Sequence, residues 1–252
     1  MLGSCSITYG DKTIDIYNLL SKKIWEILAY LIVYRDKYVS QSELIDVVYR
    51  KEKSNNPANA LKTLMHRVRA AFEVLGVDGK NLIIQQNGSY KWNNKYKVLL
   101  DAESFDKLIS ASQTSHDDNN RFLSIARDAI ALYRGGFLPR FSTESWVVPI
   151  HAYFHANYIR LIHTTIELLS KENRNVEIIE ICQKAIKTAP YDEQLYLCLM
   201  RALINLELYQ TAMEQYEKTT KLFYREFGVT PLDEIKALYN QIACTNQQST
   251  IS

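Results

Sequence analysis

The sequence has few cysteines and no long apolar run. Its four cysteines form no CxxC pair and lie far apart, at Cys5, Cys182, Cys198 and Cys244. This spacing argues against a zinc site and against a disulfide scaffold, and it is typical of proteins in a reducing compartment. No apolar stretch is long enough to cross a bilayer, and the N-terminus lacks a basic region followed by an apolar signal segment. We therefore expect a cytoplasmic protein without a membrane partner.

Motifs for catalysis are also missing. The pair Gly135-Gly136 interrupts a helical pattern, but no G-x-x-x-x-G-K-[ST] phosphate loop surrounds it. His151 and His155 have the i, i+4 spacing of a helical metal pair, yet no HExxH pattern contains them. No nucleophile and base stand in a recognisable arrangement. We predict no enzyme activity, no cofactor and no metal site, and we keep an enzyme as an alternative.

Charge is distributed unevenly along the chain. The total formal charge is +2, but residues 1–99 contain 15 Lys and Arg against 9 Asp and Glu. Residues 100–252 contain 15 against 19. A basic front half favours an anionic partner for that half, with chance asymmetry as the alternative.

The first 99 residues contain strand and helix signals in an informative order. Two short alternating segments flank the turn Gly10-Asp11, and Ser21 precedes an apolar helix. Ser40 and Glu43 form an S-x-x-E capping box at the start of a second helix. A third, basic helix follows, and then a hairpin whose turn is Asn87-Gly88. Strands, three helices and a hairpin in this order predict a winged helix-turn-helix.

The third helix carries the segment LKTLMHRVRAAFEVLG, residues 61–76. At a period of 3.6 residues, one face is an apolar stripe of Leu61, Met65, Val68, Phe72 and Leu75. The opposite face presents Asn59, Thr63, His66, Arg67 and Ala70, with Lys62 and Arg69 on one flank. Asn55 or Asn56 can cap the helix, Pro57 suits its first turn, and Gly76 suits its end. A solvated basic face is the alternative interpretation, whereas a coiled coil is not favoured because the heptad does not persist.

In a winged helix-turn-helix the third helix enters the major groove of DNA and the hairpin reaches the neighbouring backbone or minor groove. We therefore predict DNA contacts from Asn59, Lys62, Thr63, His66, Arg67, Arg69, Tyr90 and Lys91. Arg67 and Lys62 suit guanine or a phosphate, and Asn59 suits adenine. Arg69, on the flank, suits the DNA backbone.

The second half of the chain contains an internal repeat. Residues 175–188 align with residues 209–222 at an offset of 34 residues, the tetratricopeptide period. Each unit predicts a pair of helices that buries its apolar face on its neighbours. Cys182, Cys198 and the tyrosines of this region are then core residues.

Two pairs of segments resemble one family. ANALKTLMHRVRAAFEVLG followed by LIIQQNGSYKW resembles the recognition helix and wing of OmpR-type winged helices. The closer resemblance is to the Streptomyces antibiotic regulatory protein (SARP) family, in which a helix ending in the residues RLR precedes a wing with the residues GGY. Arg67-Val68-Arg69 and Gly88-Ser89-Tyr90 occupy these two positions here. YRGGFLP and FGVTPLDEIKALYNQI resemble segments of the bacterial transcriptional activation domain, which follows the winged helix in that family.

The resemblance implies a mainly α protein with two domains. Residues 1–99 would be the winged helix, with a small β-sheet, three helices and a hairpin wing. Residues 100–252 would be an all-α, tetratricopeptide-like activation domain.

The resemblance also implies a function. The protein would be a transcription activator that binds direct repeats in double-stranded DNA as a homodimer or as tandem protomers, and recruits RNA polymerase. The loop after the second helix would contact polymerase through Arg50, Lys51 and Lys53. A repressor of the same fold, and a scaffold whose winged helix contacts protein, are the alternatives.

Overall fold

The structure is a computed structural model, which describes residues 1–15, 21–50, 56–115 and 118–249, with side chains up to residue 243. It divides into two compact units. The first unit comprises Met1–Ser104 and Phe137–His151, and the second comprises Phe105–Gly136 and Ala152–Ser252. The single boundary expected after residue 99 remains a prediction, and the grouping adds the segment Phe137–His151 to the first unit. We call that segment the strap.

The first unit has the winged-helix order that the sequence predicted. Its elements are β1 Ser6–Tyr9, β2 Lys12–Asp15, α1 Lys22–Val33, β3 Val39–Ser40, α2 Gln41–Tyr49, α3 Pro57–Val74, α4 Gly79–Leu82, β4 Ile83–Gln86 and β5 Ser89–Trp92. Strands β1 and β2 form an antiparallel pair, and the other three form a sheet in the order β3-β5-β4. In that sheet Val39 pairs with Tyr90, and Ile83 pairs with Trp92.

Local turn chemistry explains the wing. Asn87 has a φ of 48° and Gly88 a φ of 73°, as a type I′ turn requires at both central residues. The two strands of the hairpin therefore pair directly, and their register places Gln86 opposite Ser89. The backbone N–H of Gln41 also donates to the Gly88 carbonyl at 3.0 Å, which ties the turn to the start of α2.

The capping box at α2 is formed in one direction. The Ser40 hydroxyl accepts from the Glu43 backbone N–H at 3.1 Å. The Glu43 carboxylate instead accepts from the Tyr30 hydroxyl at 2.6 Å and from the Lys37 amine at 2.9 Å. Burial disfavours that charged carboxylate, but these hydrogen bonds outweigh it and lower the pKa of Glu43. The carboxylate thus joins α1, the following loop and α2.

The strap supplies core residues to the first unit. The strap contains a 3-10 turn, Pro139–Phe141. The most buried side chains of the strap are Phe137, Leu138, Phe141 and Val147. Phe137 bridges to Leu2, and the Leu138 N–H donates to the Met1 carbonyl at 2.9 Å. Trp146 packs edge-on against Tyr30 with ring centroids 5.0 Å apart. The winged helix is therefore completed by residues far along the chain.

The second unit is all helical. Its helices are the greater part of α5 Asp101–Gln113, then α6 Asn119–Leu132, α7 Val148–Lys171 beyond the strap, α8 Asn175–Ile186, α9 Glu193–Asn205, α10 Tyr209–Phe227 and α11 Asp233–Ser249. Helices α8 and α9 pair, and α10, which starts 34 residues after α8, pairs with α11. Two aligned pairs are buried in both copies, Ile178 with Ala212 and Ala185 with Thr219. In the third pair Cys182 is buried and Tyr216 is half-buried. The predicted mainly α, tetratricopeptide-like fold is confirmed.

Two cysteines lie in this helical core. Cys182 is fully buried between its neighbours and Cys198 is half-buried, and both are free thiols. Burial raises the pKa of both thiols, which keeps them protonated and unreactive. In the described part of the chain, no helix is both long and apolar enough to span a membrane.

Candidate nucleic-acid interface

Helix α3 has well-defined ends. The Asn56 side chain accepts from the Asn59 N–H at 3.1 Å, and Pro57 occupies the first turn. Gly76, with a φ of 82°, follows the C-cap Leu75 and lets the chain leave the helix. The buried face is formed by Leu61, Leu64, Met65, Val68 and Phe72. The predicted amphipathic helix therefore has the predicted face in the core.

The opposite face of α3 is exposed and polar. Five of the predicted contact residues lie on it, all with exposed side chains: Asn59, Lys62, Thr63, His66 and Arg67. The Thr63 hydroxyl donates to the Asn59 carbonyl at 3.2 Å within the helix. Among the described residues, no hydrogen bond or ion pair engages the side chains of Lys62, His66 or Arg67. These three groups face solvent and are available to an external partner.

Arg69 lies elsewhere. Its side chain is half-buried, and Nη2 donates to the Ile83 carbonyl at 3.3 Å, so it links α3 to the first strand of the wing. Its Nε is buried without a hydrogen-bond partner among the described residues. The structure thus places Arg69 beside the wing, where it is less exposed than the other predicted contact residues of α3.

The wing carries one of its two predicted contact residues on the outside. Tyr90 is only 1% exposed and lies in the core, as Trp92 does, so a DNA contact from its side chain stays a prediction that its burial does not favour. The alternation of Ser89-Tyr90-Lys91-Trp92 already contains this signal, because side chains two apart share a face of a strand. Lys91 lies on the other face, half-buried, with its amine 5.4 Å from the centre of the Tyr38 ring.

The loop expected to contact polymerase is described only at its start. Arg50 donates from Nη1 to the Ser145 hydroxyl of the strap at 2.5 Å. Lys51 and Lys53 lie outside the described residues. The sequence contained no signal for the bond from Arg50, because its partner is 95 residues away.

A cleft that sequence reasoning missed opens between α3, α4 and β4. Its volume is about 390 Å³, and it is lined by Arg69, Lys80, Asn81, Ile83, Ile84, Gln85 and Asn93. Asn93 donates from Nδ2 to the Asn81 carbonyl at 2.7 Å, which holds the strand exit against α4. No cluster of three metal-ligating side chains occurs among the residues that the structure describes.

Comparison with known proteins agrees with this architecture. The bacterial transcriptional activator domain family matches residues 100–243. The transcriptional regulatory protein MoaR1 of Mycobacterium bovis is 22% identical over 222 residues, which cover 86% of this chain and 70% of that protein. MoaR1 of Mycobacterium tuberculosis matches to the same extent.

A solved structure shows the same fold. It is Mycobacterium tuberculosis EmbR in complex with a low-affinity phosphopeptide, with a TM-score of 0.65 and 16% identity. The match covers 97% of this chain, which spans 64% of the length of the EmbR chain.

The chain therefore belongs to the bacterial transcriptional activator domain family. The resemblance to SARP-type regulators is confirmed, and the family is one of transcriptional regulators and not of enzymes.

Proposed function

We propose that this protein is a sequence-specific DNA-binding transcriptional regulator that acts in the cytoplasm. The observation that carries the proposal is the exposed face of α3, where Lys62, His66 and Arg67 have no partner among the described residues. The other face of the same helix is fixed in the core, so these side chains are presented by a rigid support. A helix of this kind matches the width of the major groove.

The chemistry of each side chain suggests its role. The planar guanidinium of Arg67 suits the O6 and N7 acceptors of guanine, and the amide of Asn59 suits adenine. Lys62 provides a point charge for a base edge or a phosphate. On the wing, the Lys91 amine lies over the ring of Tyr38, whose hydroxyl donates to Gln86 at 3.0 Å. The amine of Lys91 is suited to a phosphate of the neighbouring DNA backbone.

The test is the DNA affinity of Arg67→Ala against a matched arginine outside the interface. Arg67→Ala should weaken binding to a selected duplex by about 1–3 kcal/mol and relax specificity at one base pair. Arg121→Ala is the control, because Arg121 is exposed on α6 in the second unit. Equal affinities of the two variants at low salt would contradict the role of α3, and an absence of salt-dependent binding would favour the protein-interaction scaffold.

We also propose that the regulator activates transcription by recruiting RNA polymerase while it binds direct repeats as a homodimer or as tandem protomers. Support comes from the family and from the charge of the loop that begins at Arg50. Replacing Lys51 and Lys53 together by glutamine should lower transcription from a target promoter in a purified system and leave promoter affinity unchanged. Unchanged transcription would remove this loop from the polymerase contact.

A further inference from the structure

We propose that the cleft between α3, α4 and β4 binds a phosphate of the DNA backbone, with Arg69 and Lys80 as its cationic partners. This inference rests on the proposed function and deepens it. It adds an anion site beside the exposed face of α3, and it assigns a role to Lys80, which the sequence did not single out.

The first support is the unsatisfied hydrogen-bonding capacity of Arg69. Its Nη2 donates to the Ile83 carbonyl, and its Nε is buried without a partner among the described residues. Buried polar groups in folded proteins are almost always paired, so the guanidinium of Arg69 has hydrogen-bonding capacity that its contacts with the described residues do not use. A guanidinium presents several N–H donors in a planar fork, and one carbonyl leaves most of them for a phosphate oxygen.

The second support is the composition of the cleft. The described residues that line it include two cations and no carboxylate, and three of the others carry side-chain amides: Asn81, Gln85 and Asn93. The carboxylate of Asp78 is nearby, but it accepts from the Lys80 N–H at 3.0 Å and from Asn81 Nδ2 at 2.6 Å as the cap of α4. Amide N–H groups and cations together suit an anion with several acceptor oxygens.

The third support is that the cleft is preformed. A Cβ atom at Gly79 would lie 2.0 Å from the carbonyl oxygen of Arg69, so the α4 backbone packs directly on α3. That contact sets Lys80 beside Arg69 without depending on a ligand. A site that needs no rearrangement loses little free energy to ordering when it binds.

Position along α3 favours the DNA backbone over a free phosphate. Lys62 and Arg69 are seven residues apart and therefore lie on the same flank of the helix, about 10 Å from each other along its axis. A strand of DNA that passes the flank at Lys62 continues toward the cleft. The β-strand β4 of the wing forms the other wall of the cleft and would hold the DNA backbone in position against α3.

The experiment uses the full chain and a duplex that it binds, with Lys80→Gln compared with Lys221→Gln. Lys221 is exposed on α10 in the second unit and serves as the matched control. Lys80→Gln should weaken binding several-fold and reduce the slope of log K against log salt by about 0.9, the value for one phosphate contact. Lys221→Gln should change neither quantity.

Neutral methylphosphonate linkages locate the contact. Placed one at a time along the duplex, one linkage should weaken binding by the wild-type chain clearly more than it weakens binding by Lys80→Gln, in which only Arg69 remains to contact that phosphate. The proposal would be overturned if the losses of affinity from Lys80→Gln and from a neutral linkage were additive at every position of the linkage. A salt slope of Lys80→Gln equal to that of Lys221→Gln would overturn it as well. If Arg67→Ala still weakens binding in that case, only the phosphate cleft is refuted, whereas a wild-type chain that binds no duplex refutes the proposed function as well.

A titration with inorganic phosphate, followed by the amide NMR signals of Lys80 and Asn81, separates a free ligand from the DNA backbone. Little change up to millimolar phosphate, together with the effects on DNA, supports the backbone contact. Saturation at low phosphate, with Lys80→Gln binding DNA as the wild type does, would assign the cleft to a free phosphate and overturn the proposal.

Discussion

Replacing Phe141 by alanine should destabilise the winged helix even though the residue lies outside residues 1–99. Phe141 is fully buried, and its ring packs 5.8 Å from the Lys22 amine at the start of α1. A buried Phe→Ala change costs about 3–5 kcal/mol, because the apolar contact is lost and a cavity remains. Domains are typically stable by only about 5–15 kcal/mol, so this loss is a large fraction of the stability of the first unit.

Tryptophan fluorescence during urea unfolding is the suitable assay. All three tryptophans, Trp25, Trp92 and Trp146, belong to the first unit, so the signal reports on that unit alone. At a slope of about 2 kcal/mol/M, the loss corresponds to a midpoint lowered by about 1.5–2.5 M. Val148→Ala is the control, since Val148 is 49% exposed and should change stability by about 0.5 kcal/mol or less. A Phe141→Ala midpoint equal to that of the control would refute the strap as part of the core.

Two further predictions concern stability. Gly79→Ala should destabilise the first unit more than Gly10→Ala does in the same urea assay. An added Cβ at Gly79 would lie 2.0 Å from a backbone oxygen, whereas a Cβ at Gly10 would meet nothing within 4 Å, and there only the φ of 57° costs about 1–2 kcal/mol. The reverse order of stabilities would contradict the packing of α4 on α3. The 2.8 Å bond to Asp192 raises the pKa of His163 although burial opposes it, and for Asp192 burial is likewise outweighed by its hydrogen bonds, so that its pKa is lowered. This pair should stabilise the second unit fully between the ordinary aspartate pKa and the ordinary histidine pKa of 6.5, and lose that contribution as the pH rises through the raised histidine value. Solvent screening limits the contribution to about 1 kcal/mol or less. Urea unfolding followed by circular dichroism at pH 6 and pH 8.5 should show a free energy of unfolding that is higher at pH 6 by an amount that His163→Gln lacks. An identical pH dependence in the variant would assign the effect to other groups.

The sequence predicted local structure well where a residue pattern is compatible with only one backbone conformation. The spacing of Leu61, Met65, Val68 and Phe72 allows a single buried helical face, and Asn87-Gly88 favours a single turn type. The repeat offset of 34 residues likewise identified two buried positions in each of α8 and α10, at Ile178 and Ala185 and at Ala212 and Thr219. These features depend on neighbours within a few residues, or on a period that the chain itself displays.

Features that depend on distant partners were not predictable. The strap packs on residues that precede it by 95 positions or more, and no periodicity indicates what covers a given core surface. The DNA-backbone role predicted for Arg69 came from its position on the flank of α3, but its bond to the Ile83 carbonyl depends on a strand 14 residues away and was not predicted. Glu43 has the spacing of a capping box, yet Tyr30 and Lys37 offer its carboxylate two stronger donors.

Selection of bound fragments from a random duplex pool by the purified chain, followed by affinity measured against salt, tests the central claim most directly. We predict enrichment of a direct repeat whose half-sites are spaced by about one helical turn, roughly 10–11 bp, with a steep negative salt dependence. A pool with no enriched sequence, and no salt-dependent binding, would contradict the assignment of α3 as a DNA-recognition helix.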